Sequence, residues 1–395
     1  MNVSFPSSGR TFQKCHLAAE APMKNSEPGK GTATTKTRST PSCTKELIMN
    51  SFALLRVLCL FAVIVAVMSG CGDPSKKQGQ KEAGRVVLFT SHDRIFSEPI
   101  VREFERETGI RVDMVTDTEA AKTVGLVNRL LARKENPEAD VFWNNELGHT
   151  LVLREEGVLE AYRPKAADGI PENYRDAEGW WTGFAARARV ILYNTKMIKP
   201  DEAPRCLADL THARFKDQVV VARPLFGTTF THAAVLFTEL GPDRAKDYFR
   251  RLKQNGTLIV AGNATARDLV ARGERAVCLT DTDDAQGALL KGAPVEMVYP
   301  DQDGAGCLLI PNSVALIRGG PNPENARKLI EFLVSAEVET LLARSESAQI
   351  PLRAGIEPAG PRFDPQKIKA RHPDWAAISK QFPKVKTFVE TELLD

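Results

Sequence analysis

Short apolar runs rich in β-branched residues alternate with helical segments along most of the chain, and this alternation constrains the fold more than any other feature. A first series of three strands and two helices is predicted in the order 85–90, 98–108, 110–115, 126–134 and 139–143. Gly109 stands where a stop signal for the first helix is expected. This β-α-β-α-β order predicts an α/β fold whose mostly parallel sheet is flanked by helices.

A second αβ series follows the first. Its predicted strands are 189–193, 218–222, 257–261, 276–280, 308–311 and 314–317, and its predicted helices are 230–240, 243–254, 264–272 and 322–335. The segment from Asp364 onward is predicted to be helical. Because 395 residues exceed what one hydrophobic core usually holds, we expect two lobes.

An export signal precedes the folded part. Arg56 is followed by an apolar run over 57–67 and then by Ser69, Gly70 and Cys71. A basic residue, a short apolar run and small residues before a cut are typical of a signal peptide, here 49–70. The run is shorter than the roughly 20 residues that a spanning helix needs, although an uncleaved anchor is the alternative. Ser-Gly-Cys resembles the bacterial lipobox, so we expect lipidation at Cys71.

The residues on either side of this signal are polar. Residues 1–48 are rich in Ser, Thr, Lys and Pro, and we expect them to be untranslated or disordered, with Met49 as the initiator. Residues 71–84 are expected to form a polar tether between the lipid anchor and the folded body. Residues 1–70 hold 8 of the 53 basic and 3 of the 50 acidic side chains, so the mature chain is close to −2. Such a charge does not predict binding to nucleic acid.

The sequence carries little that is typical of an enzyme. It has no Gly-x-Ser-x-Gly elbow, HExxH helix, P-loop or dinucleotide fingerprint, and no pair of histidines has metal-ligand spacing. Cys206, Cys278 and Cys307 lack zinc spacing, and we expect them to be buried free thiols. The Trp180-Trp181 pair is expected to pack in a core rather than to stack on a ligand.

Polar residues at the carboxyl ends of the predicted strands are the candidate ligand contacts, because ligands of open α/β sheets bind at this edge. These candidates are His92, Asp93, Asn145, Glu146, Asp281, Asp283 and Asp284. Arg187 and Arg189, near the start of the second series, are candidates as well. Three carboxylates within Asp281–Asp284 repel one another and need a counter-charge, a metal or solvent. The alternative is a helix start, where acidic residues stabilise the dipole.

A second motif is suited to anions. Gly227, Thr228 and Thr229 follow a strand and begin a helix, where backbone N–H and hydroxyl donors can surround an anion. No lysine follows, which excludes a Walker loop. The alternative is an ordinary capped helix start.

With these motifs in this order, the sequence resembles bacterial extracellular solute-binding proteins of the ferric-iron type. The similarity runs from about Arg85 to Glu392 and depends on six segments. They are 87–93, 109–112, 137–143, 187–195, 310–315 and 322–326. The resemblance implies a two-lobed periplasmic-binding-protein fold, the Venus flytrap.

The resemblance also implies a ligand set. In that family a polar residue after the first strand, a carboxylate after the third and a tyrosine pair hold Fe³⁺, with phosphate or carbonate completing the shell. The first position falls on His92/Asp93 and the second on Asn145/Glu146, whereas Asp283-Asp284 replace the tyrosines. The anion loop matches Gly227–Thr229, and the family's arginine near the hinge matches Arg187 or Arg189. Aspartate is also a hard oxygen ligand, but it tolerates divalent metals as readily.

These implications lead to a functional hypothesis with two alternatives. The chain is expected to be the substrate-binding lipoprotein of an ABC uptake transporter, not an enzyme. It would capture ferric iron or another metal between the lobes, with a synergistic anion. The first alternative is a binder of a phosphorylated small molecule, a sugar phosphate or a phosphonate, on the same fold. The second is a secreted metal-dependent hydrolase.

The same resemblance sets the expected surroundings and domain limits. We expect a monomer that is held at the periplasmic or outer cell surface by the lipid on Cys71 and that meets an ABC permease in the membrane. Lobe 1 is expected to comprise 85–185 and 305–350. Lobe 2 is expected to comprise 186–304 and 351–395.

Overall fold

One curled, mixed β-sheet carries the fold, and the computed structural model describes residues 84–117 and 124–394 of the chain. Within these ranges the strands are β1 (Arg85–Thr90), β2 (Arg111–Thr116), β3 (Val141–Asn144), β4 (Leu159–Glu160), β5 (Thr182–Asn194), β6 (Val219–Ala222), β7 (Leu258–Val260), β8 (Val277–Asp281), β9 (Val295–Val298), β10 (Cys307–Ile317) and β11 (Ala370–Arg371).

The α-helices of the described ranges lie on both sides of the sheet. They are α1 (Arg94–Thr108), α2 (Val124–Ala132), α3 (Gly148–Glu155), α4 (Gly227–Glu239), α5 (Pro242–Gln254), α6 (Asn263–Ala271), α7 (Thr282–Leu290), α8 (Pro323–Leu333), α9 (Ala336–Arg344), α10 (Trp375–Ser379) and α11 (Phe382–Phe388). A π-helical turn, Val389–Leu393, follows α11. Short 3₁₀ helices lie at Lys165–Ala167, Glu172–Tyr174, Leu207–Thr211, Ala213–Phe215, Pro361–Phe363 and Pro365–Lys367.

Two hydrophobic cores lie on opposite faces of the sheet. In β1, Val86 and Leu88 belong to one core, whereas Val87 and Phe89 belong to the other. Successive side chains of a strand point to opposite faces, so both faces of β1 are covered. This explains why the strand is a continuous apolar run in the sequence rather than an alternating one.

The sheet has two halves, one in each lobe, joined by two long strands. In the first half β1 pairs in parallel with β2 and β3, and β10 runs antiparallel to β3. In the second half β6 pairs in parallel with β7 and β8. Strand β5 pairs with β10 through its first half, 182–188, and with β8 through 189–193. The two-lobed α/β fold is therefore confirmed, while the lobe boundaries at 185/186, 304/305 and 350/351 stay predictions.

Most predicted elements match the structure within a few residues, but the two long strands correct the sequence analysis. Strand β5 begins at Thr182, seven residues before the predicted start, because a run of small residues before Arg189 hides it. Strand β10 is one element rather than two. Pro311 within it coincides with a register shift between Pro311 and Asn312, a position that tolerates a missing N–H group. Helices α3 and α9 were not predicted, and the start of α7 was predicted only as the alternative interpretation of Asp281–Asp284.

Several predictions lie outside the described residues. These are the signal peptide at 49–70, the lipidated Cys71, the start at Met49, the tether over most of 71–84, and the disorder of 1–48. Within 84–117 and 124–394, no helix is long and apolar enough to cross a membrane. Cys206, Cys278 and Cys307 are buried thiols that form no disulfide bond within 84–117 and 124–394, as predicted. Trp180 and Trp181 also pack against a core, as predicted.

Asn312 stabilises the irregular pairing of β5 and β10 at the register shift. Its side-chain amide donates to the carbonyl oxygens of Phe184 (3.1 Å) and Ala185 (2.8 Å) and to Oε1 of Gln349 (2.6 Å). Ala185 has a positive φ of 38°. Ala186 lies opposite Pro311 in the register of the two strands and exchanges two 2.7 Å backbone hydrogen bonds with Ile350. One buried amide therefore stabilises a bend that lies between the two lobes.

We expect Asn312→Ala to lower the free energy of unfolding by about 1–3 kcal/mol, because it leaves buried acceptors without a donor. Denaturant titration with a fluorescence readout measures this change. Asn136→Ala, at an exposed turn, is the matched control. Equal stability of the two variants would contradict the assigned role of Asn312.

Candidate ligand-binding cleft

Three helix N-termini converge on one edge of the second half of the sheet. Because β6, β7 and β8 are mutually parallel, their carboxyl ends lie at the same edge. Helix α4 begins five residues after β6, α6 begins three residues after β7, and α7 follows β8 directly. The first N–H groups of a helix have no partner within it and carry partial positive charge, so this edge attracts anions.

A cleft of about 280 Å³ opens at this edge and is lined by residues of both lobes. Lobe 1 contributes Asp93, directly before α1, and Asn145, directly after β3. The other lining residues are Arg187, Ala222, Arg223, Phe226, Gly227, Thr228, Thr229, Ala261, Gly262, Asn263, Ala264, Arg267, Asp281, Asp283 and Asp284. The structure thus brings together ten of the twelve predicted contact residues, nine as lining residues and Arg189 directly behind them. His92 and Glu146 lie elsewhere.

The first turn of α4 presents backbone donors to the cleft. The N–H groups of Gly227, Thr228 and Thr229 have no acceptor among the described residues. Gly227 has a φ of +54°, a conformation that glycine adopts without strain. The two hydroxyl groups are engaged inside the lobe, since Thr228 donates to Asp281 (2.5 Å) and Thr229 donates to Asn263 (3.2 Å). The threonine hydroxyls therefore fix the start of α4, and the backbone N–H groups are the donors that can bind a ligand.

Arg189 lies fully buried behind this helix start. Its Nη1 donates to Asp281 Oδ1 (2.6 Å) and to Thr228 Oγ1 (3.1 Å), and its Nη2 donates to Thr229 Oγ1 (3.3 Å). Asn263 donates to the other carboxylate oxygen of Asp281 at 2.8 Å. Burial raises the pKa of Asp281, but Arg189 and Arg187 outweigh it and hold that pKa below its ordinary value. Asp281 is therefore an ionised, fully bonded structural carboxylate.

Arg187 joins the two lobes beside Asp283. Its Nη1 lies 3.2 Å from Asp283 Oδ2, and its Nη2 donates to the carbonyl oxygen of Asn145 in lobe 1. Its Nε is buried and has no hydrogen-bond partner among the described residues. Burial lowers the pKa of Arg187, but Asp283 and Asp281 outweigh it and raise it above its ordinary value. Arg187 therefore stays charged inside the cleft.

Asp284 is held in an environment that disfavours its charge. Its Oδ1 accepts a 3.2 Å hydrogen bond from Arg267, and Thr280 donates to its Oδ2 at 3.3 Å. Burial, followed by repulsion from Asp283 and Asp281, raises the pKa of Asp284 to about 8. Burial also raises the pKa of Asp283, against the opposing effect of Arg187. Asp284 is thus largely protonated at neutral pH.

The three aspartates could supply oxygen ligands to a cation, since one oxygen of each lies within 4.8 Å of the others. In the structure, however, each carboxylate already pairs with an arginine. Both interpretations of this motif from the sequence have a structural counterpart. Asp281 takes the N-cap position of α7 without a side-chain capping hydrogen bond, and Asp283 and Asp284 occupy the first turn.

His92 points away from the cleft. Its ring lies 5.0 Å from that of Trp143 and 6.0 Å from that of Phe96, and its Nε2 lies 2.8 Å from Nε2 of Gln349. Its neighbour Asp93 lines the cleft instead. Because successive side chains at a strand end diverge, only one of the two adjacent residues faces the ligand space.

The carboxylate of Glu146 also lies outside the cleft and bonds to other groups. Its carboxylate accepts hydrogen bonds from the N–H groups of Gly148 and His149 at the start of α3, and from Thr231 of α4 at 2.5 Å. His149 Nδ1 lies 2.8 Å from the same carboxylate. Burial raises the pKa of Glu146, but these bonds, that of His149 first, hold it below its ordinary value. Glu146 therefore links α3 of lobe 1 to α4 of lobe 2 as a buried anion.

Eight lining residues were missed by the sequence analysis. Four of them are alanines or a glycine, and the other four are Arg223, Phe226, Asn263 and Arg267. Arg223 directly follows β6, so the same strand-end rule that selected Asp93 and Asn145 could have found it. Asn263 and Arg267 lie on α6, where Asn263 takes the first helical position. A helix residue that faces a cleft carries no comparable signal in the sequence.

A family model described as "Bacterial extracellular solute-binding protein" matches residues 137–381, more than half of the chain. The chain belongs to this family. The resemblance to solute-binding proteins of the ferric-iron type is confirmed. The family and the relatives below are binding proteins rather than enzymes, and members of the family serve ABC importers outside the cytoplasm.

Two relatives of this solute-binding protein differ in the ligand that their names give. Iron uptake protein A1 of a Synechocystis strain is 27% identical over 313 residues, which are 75% of this chain and 85% of the relative. A putative 2-aminoethylphosphonate-binding periplasmic protein of Salmonella paratyphi A is 27% identical over 289 residues, 70% of this chain and 81% of the relative.

A solved structure shares the fold of this solute-binding protein. It is the periplasmic binding protein AfuA of Actinobacillus pleuropneumoniae with fructose-6-phosphate bound. The two superpose with a TM-score of 0.69 at 25% identity, over 79% of this chain and 99% of AfuA. The two-lobed periplasmic-binding-protein fold is thereby confirmed.

Asp284 makes the stability of this solute-binding protein pH-dependent. Its folded pKa of about 8 lies above that of an unfolded aspartate, so the folded state keeps a proton that the unfolded chain releases. Stability from this group is therefore present at acidic pH and is lost as the pH rises towards about 8.

We expect Asp284→Asn to lose less stability than the wild type between about pH 5 and pH 8, measured by denaturant unfolding. Asp243→Asn, exposed on α5, is the control, and an unchanged pH profile in Asp284→Asn would refute the assignment.

Proposed function

We propose that this chain is the solute-binding subunit of an ABC importer that captures a small organic molecule bearing a phosphoryl group, a phosphonate or a sugar phosphate. The phosphoryl group lies at the first turn of α4, where Gly227, Thr228 and Thr229 present backbone N–H donors. This was the alternative hypothesis from the sequence. The geometry of the cleft favours it over the metal hypothesis.

One observation carries the choice of ligand: the cleft offers unpaired donors, while its acceptors are already paired. Asp281, Asp283 and Asp284 each contact an arginine, at 2.6, 3.2 and 3.2 Å. By contrast, the three N–H groups of α4 and the Nε of Arg187 have no acceptor among the described residues. A buried donor without an acceptor costs about 1–3 kcal/mol, and phosphoryl oxygens are strong acceptors.

The relatives are consistent with either class of ligand. One relative is named for iron uptake and another for 2-aminoethylphosphonate, and AfuA was solved with fructose-6-phosphate. Their names therefore leave the ligand open, and the contacts of the cleft in this chain carry the proposal.

Ferric iron with a synergistic anion is the second candidate. It is supported by the three carboxylate oxygens that lie within 4.8 Å of one another, and by the relative named for iron uptake. For a cation to bind there, Arg187 and Arg267 must leave their carboxylates and Asp284 must lose its proton. Moreover, no tyrosine lines the cleft among the described residues. These requirements make iron the weaker candidate.

Capture occurs by closure of the lobes. The ligand enters between Asp93 and Asn145 of lobe 1 and the helix N-termini of lobe 2, and the hinge strands β5 and β10 bend. Closure excludes water, so each charge contact strengthens as the local dielectric falls. The closed protein then delivers its solute to a permease in the membrane.

A ligand panel with one variant distinguishes the two candidates. Thermal-shift and calorimetric titrations use 2-aminoethylphosphonate, fructose 6-phosphate, inorganic phosphate, and Fe³⁺ with citrate. A ligand at 100 times its Kd adds about 2.7 kcal/mol to stability. We expect a shift with at least one of the two organic phosphoryl compounds. A shift with Fe³⁺ and citrate alone would overturn the proposal in favour of iron.

Asp283→Asn separates the candidates further. It removes a carboxylate and releases Arg187, so phosphoryl binding should be kept or tightened, whereas a metal that uses Asp283 should bind at least about tenfold more weakly. Asp243→Asn, exposed on α5, is the control. Tenfold weaker binding of the phosphoryl compound in Asp283→Asn would count against the proposed site.

We further propose that the mature chain is anchored through lipid on Cys71. Cells that express the protein with labelled palmitate should yield a labelled product, and Cys71→Ser should lose the label because residue 71 then has no thiol. Cys206→Ser, a buried cysteine of the folded body, is the control. Label that persists in Cys71→Ser, or a mature N-terminus other than residue 71, would refute the anchor.

A further inference from the structure

Arg223 differs from the other arginines of the cleft. It directly follows β6, lines the cleft, and is exposed. Its guanidinium makes no hydrogen bond or ion pair with any residue in 84–117 and 124–394. An exposed guanidinium on the wall of a ligand cleft therefore keeps its full charge for an incoming molecule.

The other three arginines have their charge balanced by carboxylates. Arg187 pairs with Asp283 at 3.2 Å, Arg189 with Asp281 at 2.6 Å, and Arg267 with Asp268 at 2.8 Å. An anion that approaches these arginines also meets the negative charge of their partners. Arg223 lacks such a partner, so its contact with an anion is not offset in this way.

The backbone holds Arg223 in place although its side chain has no partner. Its N–H group donates to the carbonyl oxygen of Val260 at the end of β7 (2.8 Å), and its own carbonyl oxygen accepts from Leu225 (2.9 Å). Pro224 follows and restricts the backbone of Arg223 to extended conformations. The side chain therefore starts from a fixed point in the same loop that leads into α4.

We propose that Arg223 is the specificity residue of the cleft, and that its unpaired guanidinium selects a doubly charged phosphoryl group over a singly charged sulfonate or carboxylate. This inference rests on the proposed function and adds to it the residue that distinguishes ligands by their charge. The N–H groups of α4 bind any tetrahedral oxyanion, because they donate hydrogen bonds and carry only a partial positive charge. They therefore do not distinguish ligands by charge.

Charge selection follows from the different ionisation of the two groups. A phosphoryl group carries about −1.5 to −2 at neutral pH, whereas a sulfonate carries a single charge. The energy of an ion pair with the guanidinium grows in proportion to the charge of the ligand, and it grows further when lobe closure lowers the dielectric. A planar guanidinium can also bind two phosphoryl oxygens at once.

The test compares two ligands that share a spacer and an amine, 2-aminoethylphosphonate and 2-aminoethanesulfonate, with fructose 6-phosphate as a second phosphoryl probe. Calorimetry measures their affinities for the full-length wild-type protein, Arg223→Gln, Arg223→Lys and the control Arg244→Gln, which changes an exposed arginine of α5. Arg223→Gln should weaken the phosphoryl ligand that binds by about ten- to a hundredfold. The ratio of phosphonate to sulfonate affinity should fall with it, Arg223→Lys should recover part of the loss, and Arg244→Gln should match the wild type.

The possible results separate this inference from the proposed function. If the wild type binds a phosphoryl ligand and Arg223→Gln binds it equally well with the same preference over the sulfonate, the role of Arg223 is refuted and the proposed function stands. If the wild type binds none of the phosphoryl compounds, both are overturned. Equal thermal stability of Arg223→Gln and Arg244→Gln shows that any loss of affinity is not a loss of folding.

Discussion

The buried pair of Arg189 and Asp281 is the interaction on which the rest of the cleft depends. Arg189 lies on β5 directly opposite Asp281 on β8, so the pair joins one of the two long strands to the sheet of lobe 2. From this pair, hydrogen bonds reach Thr228 and Thr229 of α4 and Asn263 of α6. Two unpaired charges in this position would be costly, whereas the bonded pair fixes three helix starts relative to one another. The free N–H groups of α4 keep their positions because these buried side chains hold the helix from behind.

The sequence predicted the fold well because the fold depends on local patterns. The apolar run of β1 and the stop at Gly109 are readable without any partner, and their bounds are met closely. The start of β5 was missed because small and charged residues occupy a fully buried strand there. Arg189 pairs with Asp281, 92 positions further along the chain, and no local sequence pattern predicts so distant a partner.

The candidate site was predictable as a place but not as a set of contacts. The strand-end rule located the edge of the sheet, and most of the residues that it selected line the cleft. It could not tell that Glu146 is bonded by Thr231 and by its own following helix, or that His92 turns towards Gln349. These outcomes depend on which neighbour packs against each side chain. The ligand hypothesis changed for the same reason, since three aspartates that look like a metal site in the sequence have arginine partners in the fold.

The burial of the three cysteines affects how readily this protein can be oxidised outside the cytoplasm. Extracytoplasmic compartments are oxidising, and exposed cysteines there form disulfides or are oxidised. Cys206, Cys278 and Cys307 each have an exposed fraction of 2% or less, and burial is the main cause that raises the pKa of Cys278 and the pKa of Cys307, the latter to about 12. The reactive thiolates of Cys278 and Cys307 are therefore nearly absent in the folded state. Because all three side chains are buried, the folded protein shields them from oxidants, and unfolding is what would expose them.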